Sequence, residues 1–204
     1  MLINFIEQLI NGLRTGSIYA LIAIGYTMVY GIAKMINFAH GDIIMVGAYA
    51  LYFSISVLGL PVPVSLLITG VVCSVLGVLI EKIAYKPLRK APPLAVLITA
   101  IGMSFFLQSS SLLFFGSTPI PFQSVIPNVN IKIGPVVISS ITLVTLVVTA
   151  IAMILLTLFI NKTKLGSAMR AVSEDKGAAE LMGINVNSTI SMTFAIGSAL
   201  AAVA

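Results

Sequence analysis

Charged side chains are scarce in this sequence. Asp, Glu, Lys and Arg together make up 8% of its 204 residues, where a soluble globular domain carries about 25%. That deficit excludes an ordinary water-soluble fold. A mean hydropathy of +1.14, with 59% hydrophobic residues, places the chain in a membrane. Apolar runs of 17 residues or more recur, which implies helices rather than a barrel, whose strands alternate. The single cysteine, Cys73, cannot form an intrachain disulfide and reads as a small buried residue. The single histidine, His40, has only Asp42 beside it, too few ligands for a metal. No G-x-x-x-x-G-K-[ST] loop is present, which argues against ATP hydrolysis by that route. No nucleophile, base and orienting group can be paired, so the chain is expected to be non-catalytic and to bind no cofactor itself. No Lys or Arg precedes the first apolar residues and Glu7 interrupts them, so a secretory signal is not expected.

What is present is a succession of apolar stretches. Met1 to Arg14 is amphipathic and predicts an interfacial helix, with Leu2, Phe5, Ile6, Leu9, Ile10 and Leu13 on one face. Spans are predicted over Ser17–Ala33, Ile43–Gly59, Val64–Ile80, Leu94–Phe115 and Val137–Ile160, and a sixth begins at Ile190. The chain stops at Ala204 inside that sixth run, so it is expected to be a fragment or a natural truncation. The fold class is therefore an all-α polytopic membrane bundle: five complete spans, the start of a sixth and an N-terminal amphipathic helix. One membrane domain is expected over 1–204. None of the five spans contains Asp, Glu, Lys, Arg or His, which argues against a proton-driven pump or an ion-coupled carrier.

Small residues mark two seams for close helix contact, one through Gly16, Ala20, Ala23 and Thr27, the other through Gly70, Ser74 and Gly77 to Glu81. Glu81 is expected to pair with a cation at the membrane edge, in an exposed pair contributing no more than about 1 kcal/mol. The break KMINFAHGD, positions 34–42, contains Asn37, His40 and Asp42. It reads either as a hydrogen-bonded hairpin, in which Asp42 caps the helix starting at Ile43, or as polar lining of a transport route. Ser104, Gln108 and Ser111 share one helical face, which must point at protein or at a water-filled route. Thr142, Thr145 and Thr149 run along one side of the fifth span. Residues 116–136 are polar and rich in proline, and alternation at Val129, Ile131 and Ile133 suits a small strand or hairpin.

The longest charged segment is Lys162 to Asn187. It predicts a short helix, N-capped by Ser173, with Glu174 and Asp175 in its first turn and Gly183 as a left-handed stop. Ala178, Ala179, Leu181 and Met182 make a small apolar surface suited to docking. The breaks 34–42, 81–93 and 161–189 hold nine of the eleven Lys and Arg residues. The excess of positive charge makes that side cytoplasmic, with the N-terminus and the proline-rich loop outside. The net charge of +5 is accordingly no sign of nucleic-acid binding.

Three blocks carry a resemblance: GSIYALIAIGYTMVYGIAKMINFAHGDIIMVGAY, IEKIAYKPLRKAPPLAVLITAIGMSFFLQ and RAVSEDKGAAELMGIN. The sequence resembles bacterial high-affinity branched-chain amino-acid permeases of the ABC importer class over nearly its whole length, least in 116–136. INFAHGD followed by a Gly-Ala-Tyr helix is the most specific part. The resemblance implies a second, different permease subunit, two ATPase subunits that bind the ATP, and an extracytoplasmic substrate-binding protein. It also implies a location in the bacterial inner membrane. Within the 161–189 loop it implies ATPase contact, for which the candidates are Arg170, Ala171, Glu174, Ala178, Ala179, Glu180, Leu181, Met182 and Gly183. The common loop pattern opens Glu-Ala-Ala, where this chain has Gly177, Ala178 and Ala179. Candidates for the pathway are Asn37, His40, Asp42, Ser104 and Gln108. The rival readings are a permease for urea, short amides or sugars, an ATP-independent channel or facilitator, and a membrane scaffold.

Overall fold

The structure, a computed structural model, describes residues 2–89, 91–122, 129–133 and 136–204. Lys90 of the break 81–93 and residues 123–128, 134 and 135 of the proline-rich stretch lie outside these. In chain order the helices are α1 (Leu2–Ala33), α2 (His40–Tyr52), α3 (Val62–Ile80), α4 (Pro93–Phe115), α5 (Ser140–Lys162), α6 (Lys164–Glu174), α7 (Lys176–Leu181) and α8 (Val186–Val203). A two-stranded antiparallel hairpin, β1 (Asn130–Ile133) and β2 (Val136–Ser139), precedes α5 and pairs Asn130 with Ser139. It is the small strand pair that the alternation predicts.

Among the described residues, six helical segments are long and apolar enough to cross a membrane: Asn4–Ala33, His40–Val57, Val62–Leu88, Pro93–Phe115, Ser140–Lys162 and Val186–Val203. The chain is an all-α, multi-pass membrane protein. Three boundaries differ from expectation in ways that matter. The N-terminal amphipathic stretch is not a separate interfacial helix: no proline interrupts it, Thr15 and Ser17 donate their hydroxyls back to the Asn11 and Leu13 carbonyls instead of capping, and it runs straight into the first span. The sixth run reaches spanning length because α8 starts at Val186, four residues before the apolar run, on the side chain of Asn185 as its cap. The spans are also not free of ionisable groups: α2 carries His40 and Asp42, and the third span continues through Glu81 in a wide turn to Leu88.

The core is built where α3, α1 and α2 pack on α8. Here the helices approach backbone to backbone. A Cβ added at Gly77 would lie 2.0 Å from Oγ of Ser198, and one at Gly25 would lie 2.9 Å from the carbonyl oxygen of Gly197. The second predicted seam is thus a real contact at Gly77. The first is not used within this chain: Gly16, Ala23 and Thr27 are exposed, and the close approach on α1 falls instead at Gly25. Phe194, Tyr85, Ile43, Val29 and Ile190 fill the space around these crossings.

Candidate functional site

The polar break at 34–42 is folded into the protein. Lys34, at φ +58°, stops α1 in the left-handed conformation usually given to glycine, and its amide donates to the Tyr30 carbonyl at 2.9 Å. The chain then turns back along α1. The His40 ring packs against Gly25, 3.1 Å from where a Cβ would stand. Gly25 lies eight residues before Ala33, so the start of α2 sits about 12 Å inside the end of α1 at 1.5 Å per residue. Irregular backbone at membrane depth survives only where protein or a wet cavity surrounds it. Protein surrounds it here: Met35, Asn37, Ala39, His40 and Asp42 are all buried. The Tyr85 hydroxyl donates to Oδ1 of Asn37 at 3.1 Å, and its ring tilts against Phe194. The hairpin reading therefore gives way to an inward-folded break.

Asp42 does not cap α2. The helix begins three residues earlier than the sequence suggests, at His40, with Ala39 at the cap position and no side-chain cap. Asp42 therefore lies within the first turn, free to reach another helix. Its Oδ2 accepts from Oγ of Ser104 at 2.5 Å and its Oδ1 from Nε2 of Gln108 at 2.9 Å. Ser104 is eleven residues from each end of α4, which puts this carboxylate at mid-depth of that span. Four of the five pathway candidates thus meet in two groups: Asp42, Ser104 and Gln108 together, and Asn37 with Tyr85. His40 stands apart. The backbone of Ile22 adjoins its ring, but neither ring nitrogen makes a hydrogen bond of good geometry. Gln108 remains exposed on the outer face of α4, while Ser111 is buried. Thr142 and Thr149 also point inward, with unpartnered hydroxyls.

The charged segment 162–187 folds as two short helices rather than one. Thr163 caps α6 by accepting from Gly166 N at 2.9 Å, and Asp175 caps α7 by accepting from Gly177 N at 2.7 Å and Ala178 N at 3.1 Å. Ser173 is not a cap. It lies in the last turn of α6, and its hydroxyl donates back to the Arg170 carbonyl. Glu174 is the last residue of α6 and Asp175 is extended, so neither occupies a first turn. Both residues have capping chemistry, and the short Asp side chain wins because it accepts two orphan amides at once. Gly183, at φ +81°, ends α7 as expected. Ile184 N bonds Ala179 O and Gly183 N bonds Glu180 O, the paired closure of a Schellman stop.

This geometry divides the coupling candidates. Leu181 and Met182 point outward, 91% and 82% exposed, and Ala178 and Glu180 are exposed beside them. Ala179 is buried within the chain, and Ala171 is half-buried against the core. Ala179 is thus part of the packing and not of an open docking surface, so arginine there would damage the fold. Arg170 is tied by Nη1 to Oδ1 of Asn161 at 2.9 Å. Gly166 allows the tight α5–α6 corner, since a Cβ there would sit 2.2 Å from the Ile160 carbonyl.

Two links that the sequence does not reveal join this segment to the spans. Lys176 Nζ donates to the Ala33 carbonyl at 2.8 Å, capping the end of α1. Burial, then Arg89 and Lys34, hold its pKa below the usual lysine range. Glu81 is fully buried. It pairs with Arg89 and accepts from Oγ of Ser191 at 2.5 Å, and Arg89 also donates to Asn187. The pair is therefore not the exposed one expected. Removing one partner of such a buried pair costs about 3–5 kcal/mol, several times the surface value.

The comparisons with known proteins agree with this architecture. The family described as branched-chain amino acid transport system / permease component matches residues 8–204. The chain is 46% identical, over 98% of its length and 69% of the relative's, to the high-affinity branched-chain amino acid transport system permease protein BraD of Pseudomonas aeruginosa. It is 43% identical over the same shares to LivH of Escherichia coli, which bears the same description. A probable branched-chain amino acid transport permease protein of Methanocaldococcus jannaschii is 31% identical over 92% of the chain and 61% of the relative. No solved structure matches. A helical multi-pass chain with this extent of identity is a member of the branched-chain amino acid transport system permease component family.

Proposed function

We propose that the chain is a permease subunit of an ATP-driven ABC importer for branched-chain amino acids. It would form part of the translocation pathway and take its motion from separate ATPase subunits, which bind the ATP. Relatives with 43–46% identity are described as permeases of that transport system. In this reading the chain sits in the bacterial inner membrane with a second permease subunit and receives substrate from an extracytoplasmic binding protein. The N-terminus faces outward, and 161–189 is the cytoplasmic coupling loop, by the excess of positive charge on that side. Asp42, Ser104 and Gln108, at mid-depth, line the route.

The observation that carries the reading is the outward pair Leu181 and Met182, held off the body of the protein on a helix capped at both ends. Two adjacent large apolar side chains on a polar segment have no role in this chain's own core. Buried against a partner, each would contribute about 1.5–3 kcal/mol. Its attachment through Lys176 to the end of α1 lets a push on α7 reach the spans. The variant Leu181→Asp/Met182→Asp should insert and fold normally, since these side chains pack on nothing. It should fail to co-purify the ATPase subunits, and branched-chain amino-acid uptake in vesicles should fall by more than tenfold. Normal co-purification and uptake would overturn the coupling assignment. Normal co-purification with lost uptake would retain the contact but remove these two side chains as its source.

A further inference from the structure

A cavity of about 330 Å³ opens where the end of α1 meets the start of α4. Three cations border it: Lys34 from the break after α1, Arg89 from the turn after α3, and Lys176 from α7. Tyr30, Val96 and Leu97 form its apolar side. Tyr30 is half exposed on the outer face of α1, so this side opens toward the lipid.

No carboxylate lines the cavity among the described residues: Glu174 shares only the neighbouring cavity with Lys34, and Asp175 is turned to the amides of its own helix. Among the described residues the Glu81 carboxylate engages only Arg89 and Ser191. Arg89 sends Nη2 to Glu81 and Nη1 to Asn187, and its Nε is buried without a partner. Lys176 donates to a neutral carbonyl, and among the described residues neither lysine meets a carboxylate. Like charges brought together beside a half-buried cavity repel, and an anion of matching size relieves that repulsion.

We propose that this cavity binds the phosphate group of an anionic phospholipid, with its acyl chains running out past Tyr30 along the α1–α4 groove. Position and shape favour a lipid over a soluble anion. The cavity lies where two spanning helices, Asn4–Ala33 and Pro93–Phe115, reach the polar breaks. It has a cationic side and an apolar side, as an amphiphile requires. Basic pockets between spanning helices at the cytoplasmic edge suit such headgroups. The bound phosphate joins the ends of α1, α4 and α7, and so stiffens the seat of the short helix that carries Leu181 and Met182. The site does not depend on which solute the protein carries.

The test is a titration of the purified, assembled transporter in detergent with short-chain phosphatidylglycerol, followed by native mass spectrometry. One tightly held phosphatidylglycerol per copy of this chain is expected, with no comparable retention of phosphatidylcholine. In Lys34→Gln/Lys176→Gln that site should weaken about 30-fold, and Lys34→Arg/Lys176→Arg should restore it. Should loss of the Lys176 bond disturb α7, Lys34→Gln alone still serves, because the Lys34 side chain makes no hydrogen bond or ion pair among the described residues. Unchanged binding in the glutamine variants would overturn the proposal, as would equal retention of phosphatidylcholine. Full competition by an equal concentration of inorganic phosphate would overturn the lipid assignment and leave a site for a free anion.

Discussion

Asp42 and Asp175 each stand at the beginning of a helix that follows a polar break, but they act at different ranges. Asp175 is exposed and binds its own backbone, accepting from Gly177 N and Ala178 N. Asp42 is buried and binds a helix more than 60 residues away, through Ser104 and Gln108. The difference comes from register. Asp175 is the residue before its helix, extended at φ −148°, so its carboxylate falls over the orphan amides. Asp42 is the third residue of its helix, so its side chain projects sideways from the first turn. A displacement of three residues turns a local stop into a tertiary tie.

The largest effect expected from breaking this pair is at Asp42. Asp42→Ala removes two hydrogen bonds to a charged group, each contributing about 1.5–3 kcal/mol. Relief of the buried carboxylate offsets part of that, so a loss of about 3 kcal/mol is expected. The loss should be concentrated at α4, seen as reduced disulfide trapping between cysteines placed on α2 and α4. Equal trapping in the variant and the parent would mean that α4 is held by other contacts. Asp175→Ala should cost less, about 1 kcal/mol. It should fray α7 alone, with faster amide exchange at 177–181 and no change at α4. The smallest effect belongs to Asp175→Asn. Asparagine caps as well as aspartate, so stability should move by only a few tenths of a kcal/mol. A drop as large as that of alanine would show that Asp175 acts by charge, against the dipole of its helix, rather than by its acceptor oxygen.

Much of the fold is legible where the signal is local. The spans α4 and α5 follow from long runs free of charged residues, and the first strand of the hairpin before α5 follows from the alternation at 129–133. The stop at Gly183 follows from the one residue type at ease at φ +81°. Where two local signals compete, the reading falters. Ser173 and Asp175 both have capping chemistry, and the two orphan amides that the Asp175 carboxylate accepts decide the break in a way that residue type alone does not announce. The candidate site is harder to read, because its contacts join distant parts of the chain. Nothing near Lys176 in sequence foretells its bond to Ala33, and nothing near Gly25 foretells Gly197. A run such as KMINFAHGD also looks like a solvent loop on polarity alone. Its burial depends on Tyr85 and Phe194, which arrive from the turn after α3 and from α8. The reading of Ala179 as an open surface failed for the same reason, since small apolar residues serve a core and an interface equally well.

The inward-folded break at 34–42 also constrains the order in which the protein can be made. Its shelter comes from the turn after α3 and, above all, from α8, which leaves the ribosome long after α2. Until α8 is in place, the His40 imidazole and the Asp42 carboxylate lack their full enclosure, in a setting where an uncompensated polar group costs several kcal/mol. During synthesis α2 therefore has to remain at the bilayer surface, or shelter within the insertion machinery, while roughly 150 further residues are added. Only then can Gly197 dock on Gly25 and close the lid over the break. A transmembrane segment synthesised long after α2 is in this sense the one that completes the packing around α2.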